Sequence, residues 1–202
     1  MKPTLYLASG SPRRREILEN LGYQILQLPA DIDETPYSDE TASAYVKRMA
    51  TEKNAAALTL WHNRHTHEPE YPLLTADTTV ALNEQILGKP DNTQHAAEIL
   101  AALSGSTHQV LTSVCVYFNN QYQCTTQISH VTFKALSKAE ISAYIDAGEP
   151  LDKAGAYGIQ GLGGVFVKHL QGSFTGVMGL PVYETISLLE ACGYIIPPFI
   201  MK

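Results

Sequence analysis

The stretch Leu5-Tyr6-Leu7-Ala8-Ser9-Gly10-Ser11-Pro12-Arg13-Arg14-Arg15-Glu16-Ile17-Leu18 decides how this chain folds. Tyr6 and Leu7 alternate with smaller residues, as in a short strand. Gly10 permits a tight bend, Ser11 can cap a helix, and Pro12 suits the first helical position, where its missing N–H costs nothing. Free N–H groups at a helix start carry partial positive charge, and guanidinium forks match phosphate oxygens. A strand, turn, arginine run and helix in that order therefore read as a phosphate cradle. They read equally as an ordinary strand-turn-helix join with a solvated arginine run.

Outward from this segment, helix and strand patterns alternate along the chain, the mark of an α/β protein. The first helix covers 12–21 and stops at Gly22, and a strand follows over 23–28. Ser38 is expected to cap a long helix through Ala57, with Ala42, Tyr45, Val46, Met49 and Ala50 on its apolar stripe. Residues 61–72 read as a polar loop carrying His62, His65 and His67. Strands over 73–82 and 85–87 make a hairpin around Asn83-Glu84, and a longer hairpin over 110–118 and 122–133 turns at Asn119-Asn120. Asp91 and Gln94 form a capping-box-like start to a helix over 93–103, and Ser137 with Glu140 forms another before a short helix. A glycine-rich stretch over 155–164, a hairpin turning at Gln171-Gly172 and a last helix opened by Pro181 complete the chain. Crossover units interleaved with hairpins predict a mixed sheet.

A length of 202 residues, 45% of them hydrophobic, suits one domain, with room for two lobes. The net charge of −6 speaks against general affinity for nucleic acid or anionic membranes, so any anionic ligand must be met by a local positive cluster. Cys115, Cys124 and Cys192 contain no CxxC pair. Such an odd, sparse set suits a reducing compartment better than a disulfide scaffold. No apolar run approaches the length of a membrane span and no signal-peptide core precedes the first strand, which points to a soluble cytoplasmic protein.

Asp77 is the sharpest single observation, an acid inside the apolar run Leu73-Leu74-Thr75-Ala76-Asp77-Thr78-Thr79-Val80-Ala81-Leu82. An unpaired buried carboxylate is costly, so it must meet a cation, a metal or strong donors. It reads as a metal ligand or general base, or else as a strand-end acid bonded to a turn. Lys53 on the long helix and Lys89 in Gly88-Lys89-Pro90 are each, taken singly, ordinary solvated lysines. Glu34, in the acidic loop Asp31-Ile32-Asp33-Glu34, suits Mg²⁺, or else a solvated surface. The histidines of the 61–72 loop have no cysteine partner or helical spacing and read as surface residues rather than a zinc site. The glycine-rich stretch lacks a P-loop pattern, yet it brings backbone close to a flat ligand and presents the Gln160 amide. One acceptor and one donor face of that amide match the O4 and N3–H edge of uracil or thymine.

These segments occur in a recognisable order: LASGSPRR, EK on a helix, ADT, GKP, SGSTHQV and DKAGAYGIQGLGG. Together they resemble the Maf family of nucleoside triphosphate pyrophosphatases, once described as septum-formation inhibitors. The resemblance implies an elongated α/β fold related to that of inosine triphosphatase, with a mixed sheet flanked by helices and two lobes around a central cleft. It implies cleavage of a nucleoside triphosphate to the monophosphate and pyrophosphate with a divalent cation, Mg²⁺ or Mn²⁺, and a homodimer. By the same resemblance Asp77 is the proton acceptor, and Arg13, Thr78 and Gln160 are base-specificity positions. Ser9, Glu34, Lys53 and Lys89 line the phosphate and metal region, with Glu34 and Asp77 as metal ligands.

A sister branch acting on 7-methylguanosine triphosphate carries Trp after Ser-Pro and an acid at the position of Gln160. Arg13, Thr78 and Gln160 place this chain with the dTTP/UTP branch. The His-rich loop departs from the family by its length. The expected chemistry is attack of water on the α-phosphorus, with Asp77 taking the proton and Arg13, Lys53 and Lys89 meeting charge on the leaving pyrophosphate. Arg14 and Arg15 are expected to be solvated helix residues. The competing readings are a purine triphosphate substrate and a nucleotide-binding regulator of cell division without turnover.

Overall fold

Strand β1 (Thr4–Leu7) leads into helix α1 (Pro12–Asn20) in the computed structural model, which describes residues 3–194. Gly22 takes a φ of 95° and ends the helix, and β2 (Gln24–Gln27) returns parallel to β1. Helix α2 (Ala42–His62) then crosses to β3 (Leu73–Leu82), which pairs parallel with the other edge of β1. A turn at Asn83 and Glu84, both with positive φ, joins β3 to β4 (Gln85–Leu87). After α3 (Thr93–Leu103), strands β5 (Thr107–Phe118) and β6 (Gln121–Phe133) form the long hairpin, turning at Asn119 and Asn120. Helix α4 (Lys138–Asp146), three short 3-10 turns, β7 (Val167–Gln171), α5 (Phe174–Met178) and α6 (Val182–Ala191) follow. The seven strands form one mixed sheet in the order β2-β1-β3-β5-β6-β7, with β4 paired to β3.

Several boundaries move from where the sequence pattern puts them. Thr41, not Ser38, caps α2 by accepting from the Ala44 N–H, and the helix runs on to His62. Trp61 is thereby buried at the helix end, with its indole N–H on the His67 carbonyl and His65 stacked on its ring. Asn92 caps α3 by accepting from the His95 N–H, so the Asp91–Gln94 capping box does not form. The Ser137–Glu140 box does. No hairpin turns at Gln171-Gly172, because β7 pairs back onto β6 and the chain then enters α5.

The cysteines also depart from expectation. Cys115 and Cys124 stand directly opposite on β5 and β6 and are joined as a disulfide, leaving Cys192 as a buried free thiol. The turn at Asn119 and Asn120 sets the register that brings the two residues face to face.

Strand β3 organises the interior through its period of two. Leu73, Thr75, Asp77 and Ala81 turn toward α2: the Thr75 hydroxyl donates to the Ala50 carbonyl, and Ala81 packs with Ala42 and Val46. Leu74 and Ala76 join one apolar core with β1, α1 and α6, whereas Val80 joins another with α3, α4 and β6. Between those two cores lies Thr78, hydrogen-bonded to Thr112 on β5. Polar residues thus interrupt two adjacent apolar rows at the same level, and the two cores part there.

Candidate active site

A cavity of about 1040 Å³ opens at that interruption. Ser9, Arg13, Glu34, Lys53, Asp77, Thr78, Lys89 and Gln160, the candidates from sequence, all line it. At its centre the Lys53 ammonium donates to Asp77 Oδ1 at 2.7 Å and lies 2.6 Å from Glu34 Oε1. The helix and the strand bring this about together. Asp77 sits on the face of β3 under α2, and Lys53 reaches across from that helix.

Burial pushes the Asp77 carboxyl upward from its ordinary pKa, with Lys53 and Arg14 opposing. For Glu34 burial also works against ionisation, but its hydrogen bond to Lys53 and the charges of Lys53, Lys89 and Arg14 outweigh it and hold the carboxyl low. Two neighbouring carboxylates driven apart in this way suit separate roles, one as proton acceptor and one as a permanent charge.

Glu34 lies on a coil, yet the coil is tied to α2. The Tyr45 hydroxyl donates to the Glu34 carbonyl at 3.0 Å. Arg48 donates twice to Glu40 at 2.7 Å and once to the Thr35 carbonyl, with its guanidinium 3.9 Å from the centre of the Tyr37 ring. Helix α2 therefore carries Lys53 and pins the loop that delivers Glu34.

The arginine run divides differently from the expectation. Arg14 is not a solvated helix residue: Nε donates to the Gly179 carbonyl at 2.8 Å, Nη1 to Ser9 Oγ at 3.0 Å and Nη2 to Thr78 Oγ1 at 3.1 Å. Burial lowers its pKa and Arg13 adds to this, while Asp77 and Glu34 oppose. Arg13 also lines the cavity, 3.8 Å from Asp152. Arg15 is exposed and pairs with Glu19 one turn along. The signal for Arg14 is the helical period: it lies three and four residues before Ile17 and Leu18, which α1 buries. Ser11 occupies the cap position of α1 without a side-chain cap bond, and its N–H instead meets Ser9 Oγ at 3.2 Å.

Lys89 and Gln160 also line the cavity, and both are exposed, with the Lys89 charge reaching Glu34. Among the described residues the Gln160 amide has no hydrogen-bond partner, so both of its faces are available. Asp152, Lys153 and Tyr157 line the same region.

The candidate residues are thus gathered in one cleft, and the whole chain can be compared with known proteins. The model of the family described as Maf-like protein matches residues 4–192. The chain belongs to the Maf family. It is 53% identical over 197 residues to the dTTP/UTP pyrophosphatase of Neisseria meningitidis serogroup A (strain Z2491), covering 98% of each protein. It is 56% identical over 190 residues to the dTTP/UTP pyrophosphatase of Pasteurella multocida (strain Pm70), covering 93% of this chain and 95% of that one. A Haemophilus ducreyi member named nucleoside triphosphate pyrophosphatase is 55% identical over 190 residues, covering 94% of this chain and 95% of its own.

Proposed function

We propose that this Maf chain hydrolyses dTTP and UTP to the nucleoside monophosphate and pyrophosphate. The observation that carries the reading is the Lys53 ammonium held between Glu34 and Asp77 in a cleft walled by Arg13, Arg14 and Lys89. The names of the Neisseria and Pasteurella relatives support the same reaction, and the Gln160 amide favours uracil or thymine over a 7-methylguanosine base.

A divalent cation fits this donor set. Glu34 and Asp77 already share one cation in the form of Lys53, and Mg²⁺ prefers one or two carboxylates completed by phosphate oxygens and water. Among the described residues no group of three or more acidic, His or Cys side chains gathers to form a full protein cage, so the substrate would complete the shell. Bound there, Mg²⁺ or Mn²⁺ would supply charge that offsets the phosphate oxygens during attack.

The chain's own residues account for the rest. Asp77, its pKa raised by burial, accepts the proton of the attacking water. Lys53, released from one carboxylate as that proton arrives, is free to meet a phosphate oxygen. Arg13 and Lys89 stabilise charge building on the leaving pyrophosphate. Arg14 uses its N–H groups to hold Ser9 and Thr78 at the cradle.

The two apolar cores on either side of Thr78 support a single two-lobed domain over 1–202. The family resemblance supports a homodimer. Among the described residues no helix is long and apolar enough to cross a membrane, and the nature of the substrates supports a cytoplasmic site of action.

The deciding experiment measures pyrophosphate release from dTTP, UTP, GTP and 7-methylguanosine triphosphate with Mg²⁺, Mn²⁺ or Co²⁺, and with chelator. We expect dTTP and UTP to be cleaved fastest and the chelator to stop turnover. Tight dTTP binding without release under any metal would overturn the enzymatic reading, and faster cleavage of a guanine nucleotide would overturn the branch.

A further inference from the structure

Gln160 has no side-chain partner, yet the backbone that presents it is tightly held. Gly148, with φ of 77°, ends α4 and turns the chain so that Glu149 faces the glycine-rich segment. Glu149 Oε2 accepts the Leu162 N–H at 2.8 Å, and Oε1 accepts the Gly163 N–H at 3.3 Å and the Tyr144 hydroxyl at 2.9 Å. The Tyr144 oxygen in turn accepts the Gly158 N–H at 3.1 Å. These bonds bracket the turn closed by the Gly161 N–H on the Gly158 carbonyl at 3.2 Å, whose interior is Ile159 and Gln160.

The glycines of this segment are explained by the same arrangement. A Cβ on Gly161 would overlap the Glu149 carboxylate, and one on Gly163 would stand 2.8 Å from the Tyr144 hydroxyl. Their missing side chains are the space the latch occupies. Its chemistry is also specific. Every group that reaches the Glu149 carboxylate is a donor, so an acceptor-only side chain is required there. Burial works against its ionisation, but the Leu162 N–H, the Tyr144 hydroxyl, the Gly163 N–H and Lys153 outweigh it and hold the carboxyl below the usual range.

We propose that Glu149, through Tyr144, is a positioning residue for base selection: it fixes the turn so that the Gln160 amide meets the base edge in one place and one orientation. This rests on the reading of Gln160 as the base-reading group. An amide has a donor and an acceptor that can exchange by rotation, so a mobile turn would blur its preference, whereas a fixed one makes discrimination possible.

The test measures kcat/KM for UTP and for GTP in the wild type, Glu149→Gln, Tyr144→Phe, Gln160→Ala and the Glu149→Gln/Gln160→Ala double variant, each with its melting temperature. Gln160→Ala is expected to lower the UTP-to-GTP ratio about tenfold, the worth of one well-placed hydrogen-bonded edge. Glu149→Gln turns one acceptor into a donor facing donors, and is expected to lower the ratio about three- to tenfold, chiefly through KM for UTP. Tyr144→Phe removes one hydroxyl while keeping the ring on Phe166, at 5.0 Å between centroids, so it reports even if the Glu149 variant does not fold. In the double variant the ratio should fall no further than in Gln160→Ala alone.

Equal losses on both nucleotides, with the ratio unchanged in the Glu149 and Tyr144 variants while Gln160→Ala lowers it, would show a merely structural latch and overturn the proposal. Independent, multiplying effects in the double variant would do the same. An unchanged ratio in Gln160→Ala would instead overturn the base reading itself, and with it anything the latch is said to position.

Discussion

The two ends of the cleft are built by opposite means. At the proposed phosphate end, Lys53 on α2, Asp77 on β3 and Arg14 on α1 stand on regular elements; the Lys53 ammonium joins Asp77 at 2.7 Å to Glu34 at 2.6 Å, and Arg14 holds Thr78 at 3.1 Å. Gln160, at the proposed base end, is a single uncharged side chain on a coil, and the ordering is done by backbone N–H groups gathered on Glu149 and Tyr144. The difference teaches where each kind of precision is needed. Reaction at phosphorus requires charges held in a partly desolvated site, which rigid elements provide. Base reading, as proposed, requires a planar amide at one height, which a braced turn provides while the bracing carboxylate is occupied by its own donors.

The largest effect should come from the phosphate end. Asp77→Asn is expected to lower kcat by about a thousandfold, within the range for losing a positioned acid–base group. Because burial disfavours the Asp77 charge, the melting temperature of that variant should stay level or rise. Near-normal turnover would remove Asp77 from the chemistry.

The two arginines sharpen the contrast between frame and ligand contact. Arg14→Ala removes three donor bonds, to the Gly179 carbonyl and to the Ser9 and Thr78 hydroxyls, so it should cost about 1–3 kcal/mol of stability as well as activity. Arg13→Ala gives up one 3.8 Å pair with exposed Asp152 and should leave thermal stability unchanged while raising KM. Identical melting temperatures for the two variants would contradict this division.

Smaller effects are expected at the base end. Gln160→Glu should shift the kcat/KM ratio from UTP toward GTP by about tenfold, since a carboxylate accepts from the N–H edge of guanine and cannot donate to O4 of uracil. A ratio unmoved by that substitution would break the base-reading argument.

The smallest effect is one of pH. The raised Asp77 pKa means that the folded state binds this proton more readily than the unfolded chain does. As pH falls through the folded value, this group adds stability while kcat/KM drops, so the two curves should diverge in the acid range. Glu34, held low, loses its contribution only at more acid pH. Melting and kinetics followed over the same pH series would reveal the divergence, and its persistence in Asp77→Asn would rule out Asp77 as its source.

Much of this was legible in the chain. Local rules placed β3, β4 and α3 at their observed limits, because alternation, paired turn residues and helical period act over a few residues. Motif order gathered the eight candidate residues of the cleft. Errors arose where a distant partner decides. Arg14 looks like its neighbours until Gly179, Ser9 and Thr78 converge on it; Cys115 and Cys124 are a different case, paired by the register of a hairpin whose turn at Asn119-Asn120 the sequence already indicates.

The opening strand, turn and helix, the mixed sheet and the identity of the charged groups follow from sequence by itself, because they depend on local conformation and on residue chemistry. Tertiary structure decided which arginine holds Ser9, Thr78 and Gly179, that Lys53 bridges Glu34 and Asp77, and that Glu149 accepts from the backbone just after Gln160. Those relations depend on which faces of α1, α2 and β3 meet and on how much water the meeting excludes. Contacts across the chain set both, and no single stretch of it encodes them.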